Sequence, residues 1–162
     1  MAYTDDPADR ALLVAAAYVV LQRDDEVLLQ LRRGTGYMDE HWAVLAGHLE
    51  PGETITAAAV REAAEESGVV VDEADLEPLT TLHRFIPGGP PIEQRADFFF
   101  RARRWAGDPS PLEPERCADM RWFPLAALPE PVVPHELTVL DALRDGGRPP
   151  AVLAMPLTPG QP

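Results

Sequence analysis

Lysine is absent from these 162 residues, and all fourteen basic side chains are arginine. With eighteen prolines and abundant alanine, this fits the codon usage of a GC-rich genome. Cysteine occurs once, at Cys117, so no disulfide can form within the chain and a reducing compartment is expected. No apolar run reaches the ~20 residues of a membrane span, and the acidic start Met1-Ala-Tyr-Thr-Asp-Asp is unlike a basic secretory leader. A cytoplasmic protein with no membrane partner is therefore expected. Positive charge is scarce too: fourteen Arg against 27 Asp and Glu leave −13. Such a chain is not drawn to nucleic acid at long range, so no nucleic-acid partner is expected. Internal repeats are missing, and the length suits one domain with a real core.

What is present is a concentration of negative charge with fixed spacing. Glu62, Glu65 and Glu66 stand three and four residues apart, where like charges on one helix face each other and destabilise it by a few tenths of a kcal/mol per pair, roughly. A hard divalent cation would turn that repulsion into attraction. Histidine and cysteine at tight spacing are missing, which favours Mg²⁺, with Mn²⁺ as substitute, over zinc.

The surrounding sequence predicts a mixed order of strands and two helices. The apolar run Ala11–Gln22, the turn Arg23-Asp24-Asp25 and Glu26–Leu31 read as a buried hairpin. A loop over 33–40 precedes a short strand, Trp42–Ala46, and a second loop, Gly47–Gly52, opens a helix from Glu53 or Thr54 to Ser67. Gly68 suits the left-handed position after its last turn. Ile55, Ala58, Ala59 and Ala63 form a stripe to lie on the sheet, with Arg61, Glu62, Glu65 and Glu66 on or beside the opposite edge. Further strands are expected over 69–71, 76–86, 96–105 and 120–123, and a helix over 135–144. This divides the chain into a domain over 1–146 and a proline-rich tail over 147–162. Val152, Leu153, Met155 and Leu157 of the tail would dock on the domain or on a second subunit, as a homodimer.

The stretch Gly47-His-Leu-Glu-Pro-Gly-Glu53, seven residues, then Arg61-Glu-Ala-Ala-Glu-Glu-Ser-Gly-Val69 resembles the signature of the Nudix (MutT-like) hydrolases at all seven fixed positions. At ordinary residue usage such a match arises by chance on the order of once in 10⁸ starting points. Ala63 stands where the family usually carries a bulkier aliphatic residue. Segments 28–33, 42–48 and 113–125 look similar to the family as well, so the resemblance covers all but the tail.

The resemblance implies an α/β fold of the Nudix type, an α/β/α sandwich with a mixed sheet. It implies a Mg²⁺-dependent hydrolase of a phosphoanhydride bond in a nucleoside diphosphate linked to another group. A (d)NTP pyrophosphohydrolase is the first expectation and an ADP-ribose or nucleotide-sugar pyrophosphatase the second. A non-catalytic nucleotide-binding domain is the rival from another class. By the same resemblance, Gly47 (through its carbonyl), Glu62, Glu65 and Glu66 are the metal ligands. Glu115, or else Glu113, adds a loop carboxylate. Glu62 or Glu65 takes the proton from water, and Arg61 and Glu53 orient the cluster. For substrate, Arg32 and Arg33 follow a strand and offer guanidinium forks suited to phosphate. His48 follows Gly47, and Arg84 and Arg95 are weaker candidates. Tyr37, Trp42, Phe85 and Trp105 are candidates to stack on a base.

Overall fold

In the computed structural model the described residues are 10–158. The acidic start and Pro159 and Pro162 of the expected tail lie outside them. Strand β1 (Val14–Arg23) is buried along most of its length, and its near-continuous apolar sequence reflects cover on both faces. It turns at Asp24-Asp25 into β2 (Glu26–Arg32), with Asp24 at φ 50°, a conformation that a short polar side chain tolerates. The other elements follow in order: β3 (Trp42–Ala43), β4 (Leu45–His48), α1 (Ile55–Ser67), β5 (Leu76–Phe85), β6 (Gln94–Ala102), β7 (Cys117–Pro124), α2 (Pro134–Arg144) and β8 (Val152–Pro156). The sheet runs β3-β2-β1-β6-β5-β8, with β4 added to β1 and β7 to β2. It is mixed, because β1 and β6 are parallel, as are β5 and β8, while the other pairs are antiparallel.

The two faces of β1 feed two cores. Ala17, Val19 and Leu21 pack with Ala58, Ala59 and Ala63 of α1. Ala16, Tyr18 and Val20 pack with Val139, Leu140 and Leu143 of α2. This alternation sandwiches the sheet between the helices. Ala63 is fully buried, so the small side chain lets α1 lie close to β1. Thr54 caps the helix through its Oγ1, which accepts from the Ala57 amide at 3.1 Å, and Gly68 closes it at φ 75°.

Several expected boundaries shift. The strand expected over 42–46 is split at Val44, one part pairing with β2 and the other with β1. Residues 69–71 make only a bridge, Val70 to Ala106, and β6 stops at Ala102. The segment expected as a tail enters the sheet as β8, parallel to β5. Alternation explains this: Leu153 and Met155 turn towards the α2-side core, while Val152 and Pro156 stay exposed. Truncation after Gly147 should lower stability by about 2 kcal/mol, the scale of withdrawing two part-buried apolar side chains. It should also speed hydrogen exchange of the Thr81 amide, which donates to the Ala151 carbonyl. Unchanged exchange at Thr81 would show that β8 contributes nothing to the sheet.

Candidate active site

The site is organised by Arg61. Its Nε and Nη2 donate to both oxygens of Glu53 at 3.1 and 2.6 Å, and Nη2 also reaches the His48 carbonyl at 3.0 Å. Nη1 donates to Glu62 at 2.6 Å and to Glu65 at 3.2 Å. Pairing with Glu65 and holding Glu53 were alternative roles in the sequence; the guanidinium performs both and adds Glu62. Glu53 also accepts from the Glu50 amide at 2.8 Å, so one carboxylate closes the loop before α1. Arg61 holds the Glu53 carboxyl below its ordinary range, and these bonds in turn raise the guanidinium further above neutrality.

Gly47 lies directly beside Glu62. A Cβ at position 47 would overlap the Glu62 carboxylate, so only glycine allows this approach. Burial raises the Glu62 carboxyl above its usual value. Glu66 turns away from the other two carboxylates, correcting the expectation of a shared outer edge. Its Oε2 accepts from Gln30 Nε2 and from the Ala46 amide, each at 2.9 Å. Burial pushes its carboxyl up to about 8, against the pull of those two donors. Glu65 is the exposed member. Among the described residues no three His, Cys, Asp or Glu side chains converge as a metal-ligand group, since Arg61 draws two of the glutamates and Gln30 the third.

The loop carboxylates separate as well. Glu115 points to solvent, whereas the charge of Glu113 adds to the upward shifts of both Glu62 and Glu66. By position Glu113, the second choice in the sequence, is the one whose charge reaches the cluster. Backbone bonds from Leu112 to Glu66 and from Ser110 to Ser67 tie this loop to the end of α1. Arg33 is occupied by the same loop, through the Pro114 carbonyl and a backbone bond to Arg116.

On the other side of β4, Arg32 donates to the Tyr37 carbonyl at 3.0 Å and lies 5.7 Å from its ring. Asp39 shapes this loop by accepting from Thr35 and Gly36, bonds that lower its carboxyl below the usual range. The Tyr37 hydroxyl accepts from Arg84 Nη1 at 3.3 Å, and Arg84 is paired at 2.5 Å with Asp97. His48 Nε2 meets Arg95 Nη2 at 2.8 Å, and burial, followed by Arg95, lowers the imidazole below its ordinary range. Of the aromatic candidates, Trp42 packs on Phe123, Phe85 on His83 and Trp105 on Trp122, while Tyr37 stays 39% exposed.

The sequence reading missed Gln30, Asp97, His135 and Glu136. Gln30 and Asp97 were detectable as polar residues inside apolar strands; Glu136, in the first turn of a helix, gave no such signal. Glu136 is 3% exposed and accepts the Val44 amide at 2.6 Å. Burial pushes its carboxyl up to about 8. The folded protein thus keeps a proton that the unfolded chain releases near the model-peptide value of 4.5. The resulting stabilisation is complete below that value and is lost as pH rises to about 8. Urea unfolding should show wild-type stability falling between about pH 5 and 9. Glu136→Gln, which keeps an acceptor for Val44, should fall less and be the more stable protein at pH 9. Identical slopes in the two proteins would exclude this assignment.

The chain is 32% identical over 170 residues to the 8-oxo-dGDP phosphatase NUDT18 of Homo sapiens, covering 94% of this chain and 47% of that protein. It is 32% identical over 139 residues to the NAD-capped RNA hydrolase NudC of Pseudomonas aeruginosa, covering 83% and 46%. The chain therefore spans about half the length of the curated relatives it matches. A MutT NUDIX hydrolase from Burkholderia pseudomallei superposes with a TM-score of 0.71 at 23% identity, over 79% of this chain and 95% of that one. The NUDIX domain family model matches residues 12–143, the same stretch that supplies both cores and every residue around Arg61, and on this the chain belongs to the Nudix hydrolase family.

Proposed function

We propose that the chain is a Mg²⁺-dependent hydrolase that cleaves a phosphoanhydride bond in a nucleoside diphosphate linked to another group. The observation that carries this is the Arg61 cluster, which gathers Glu53, Glu62 and Glu65 on one guanidinium, with Glu62 directly beside Gly47. The donor set is all oxygen, and the space over Gly47 that a Cβ would fill is open to the Glu62 carboxylate, so the residues fit a hard cation. Gly47, Glu62, Glu65 and Glu66 would hold it, with Glu113 favoured over Glu115 as the loop contributor. When bound, Mg²⁺ supplies neutralisation of phosphate charge and acidification of water.

The chain's own part is positioning and proton transfer. Glu62 or Glu65 accepts the proton of the water whose oxygen attacks phosphorus, and the bond to the bridging oxygen breaks as a phosphate or diphosphate leaves. Arg61 holds the carboxylates apart from one another. Arg32, Tyr37 and His48 bind substrate on the opposite side of β4. A (d)NTP is the first choice of substrate, supported by the likeness of segments 47–50 and 113–117 to enzymes that act on nucleoside triphosphates. ADP-ribose or another nucleotide sugar is second, and the name of an ADP compounds hydrolase of the same fold, at a TM-score of 0.65 and 23% identity over 85% of this chain and 74% of that one, keeps it in the panel. A binding domain without activity is disfavoured because every box glutamate is present. The reading is completed by a cytoplasmic location.

Phosphate release from a panel of nucleotides and nucleotide sugars tests this, and activity should vanish in chelator. Glu66→Gln should lower turnover at least about a hundredfold with the fold intact, while Glu73→Gln, outside the box, should change little. Equal effects of the two would remove the case for a localised site. A separate check needs no substrate. Mg²⁺ or Mn²⁺ at a hundred times its dissociation constant should add about 2.7 kcal/mol to stability, and Glu62→Gln/Glu66→Gln should abolish that gain. An equal metal response in the double variant would falsify the site.

A further inference from the structure

Among the described residues at least eight arginines lie within ion-pair distance of a carboxylate. Arg95 is not among them: its side-chain hydrogen bond goes to a histidine, His48, and its Nε–H is buried without an acceptor among the described residues. The sheet fixes this arrangement. Arg95 of β6 is in register with Val14 and His48 of β4 with Ala16, so the two side chains meet across the start of β1. Arg95 is also directly opposite Arg84 of β5, a like-charge cross-strand pair that is unfavourable by itself. The one buried carboxylate beside them on β6, Asp97, is hydrogen-bonded to Arg84 through Oδ2, and its Oδ1 has no hydrogen-bond partner among the described residues. A surplus positive charge therefore sits on the α2 face of the sheet, one residue beyond Gly47. His135, on that face, feels Arg84, Arg95 and Arg32 together.

The hydrogen bond also sets the donors. Arginine only donates, so His48 Nε2 is the acceptor, and the neutral ring carries its proton on Nδ1. The exposed imidazole thus has an N–H to offer beside a guanidinium held by the same bond. The adjoining cleft, about 390 Å³ in volume, is lined by Val14, Ala15 and His48 and by the loop to Glu53. Of the two acids there, Glu53 is taken by Arg61 and Glu50 is exposed, where salt screens it. Two fixed donors, one of them charged, match phosphate oxygens.

We propose that Arg95 and His48 form a phosphate subsite that holds a phosphate group of the substrate on the α2 face of β4, beyond the carboxylate cluster. This assignment rests on the hydrolase reading for the identity of the bound group, though not for the binding itself. It makes Arg95 a specificity residue: a substrate with a phosphate at this position gains over one with a neutral group there.

The probe is inorganic pyrophosphate, titrated in chelator into the full ¹⁵N-labelled chain and followed at the histidine ring signals. Pyrophosphate should shift the His48 ring nitrogens, and Arg95→Gln should weaken binding at least about tenfold, on the scale of one lost charge-assisted hydrogen bond. Arg95→Lys keeps the charge and the strand fit, so it should bind within about threefold of the wild type, and a correctly folded spectrum of this variant guards against simple misfolding. Arg104→Gln, on the surface, should match the wild type. Wild-type affinity in Arg95→Gln, or an unperturbed His48 ring, overturns the subsite. Glu66→Gln separates the two readings. Lost turnover with pyrophosphate binding retained supports both; binding at Arg95 in a wild type that turns over no nucleotide keeps the subsite and overturns the hydrolase.

Discussion

A single guanidinium among three carboxylates is the constraint on which the rest of the site depends. Glu62 and Glu65 sit within one turn of each other and Glu53 comes from the preceding loop, so without Arg61 their charges would repel and the loop would have no fixed relation to the helix. Exposed ion pairs contribute only ~0–1 kcal/mol each, but here both ends of the guanidinium are used and the Arg61, Glu53 and Glu62 side chains are at most 23% exposed. The contact from Arg61 to the His48 carbonyl carries that order across to the end of β4. Loop, helix and strand are therefore set by one side chain.

A second constraint lies in the sheet. The chain leaves β3, paired with β2, and enters β4, paired with β1, and the switch at Val44 takes the backbone out of regular pairing. Two amides at this switch find carboxylates instead of strands. Val44 N–H goes to Glu136 of α2 and Ala46 N–H to Glu66 of α1. Both carboxyls are raised to about 8 by burial, so each is held by geometry at the expense of easy ionisation. The strand that presents Gly47 is thereby gripped from both sides of the sheet, and a displacement of either helix would move it.

How much of this the sequence disclosed depends on the kind of information. Spacing defined α1, its Gly68 cap and the box, because periodicity and a capping glycine are local properties, whereas Thr54, read as a possible first residue of the helix, proved to be its N-cap. The direction of each glutamate was not local. Glu65 and Glu66 are neighbours in sequence but about 100° apart around a helix, and which one turned inward depended on Gln30, more than thirty residues away. The choice between Glu113 and Glu115 was not local for the same reason, since a loop's register is decided by what anchors it, here Leu112 and Ser110 on the end of α1. In the tail the docking of Leu153 and Met155 was legible from their apolar side chains, but not the strand that carries them, because prolines 149, 150 and 156 suggested irregular chain, whereas proline is tolerated at the ends of an edge strand such as β8.

The distribution of charge gives these pieces a common sense. A chain of −13 repels a polyphosphate at a distance, and the α1 side of the site adds its own carboxylates. The α2 side is different in sign, because Arg32, Arg84 and Arg95 come from three separate strands and all act on His135. A substrate that lies across β4 would thus meet arginine and histidine donors at one end and the carboxylate cluster at the other. The acids of the α2 side, Asp97 and Glu136, are covered by Arg84 and by burial, so on the proposed reading it is the α1 side that a cation would have to neutralise, and this difference between the faces would set the direction in which a nucleotide lies.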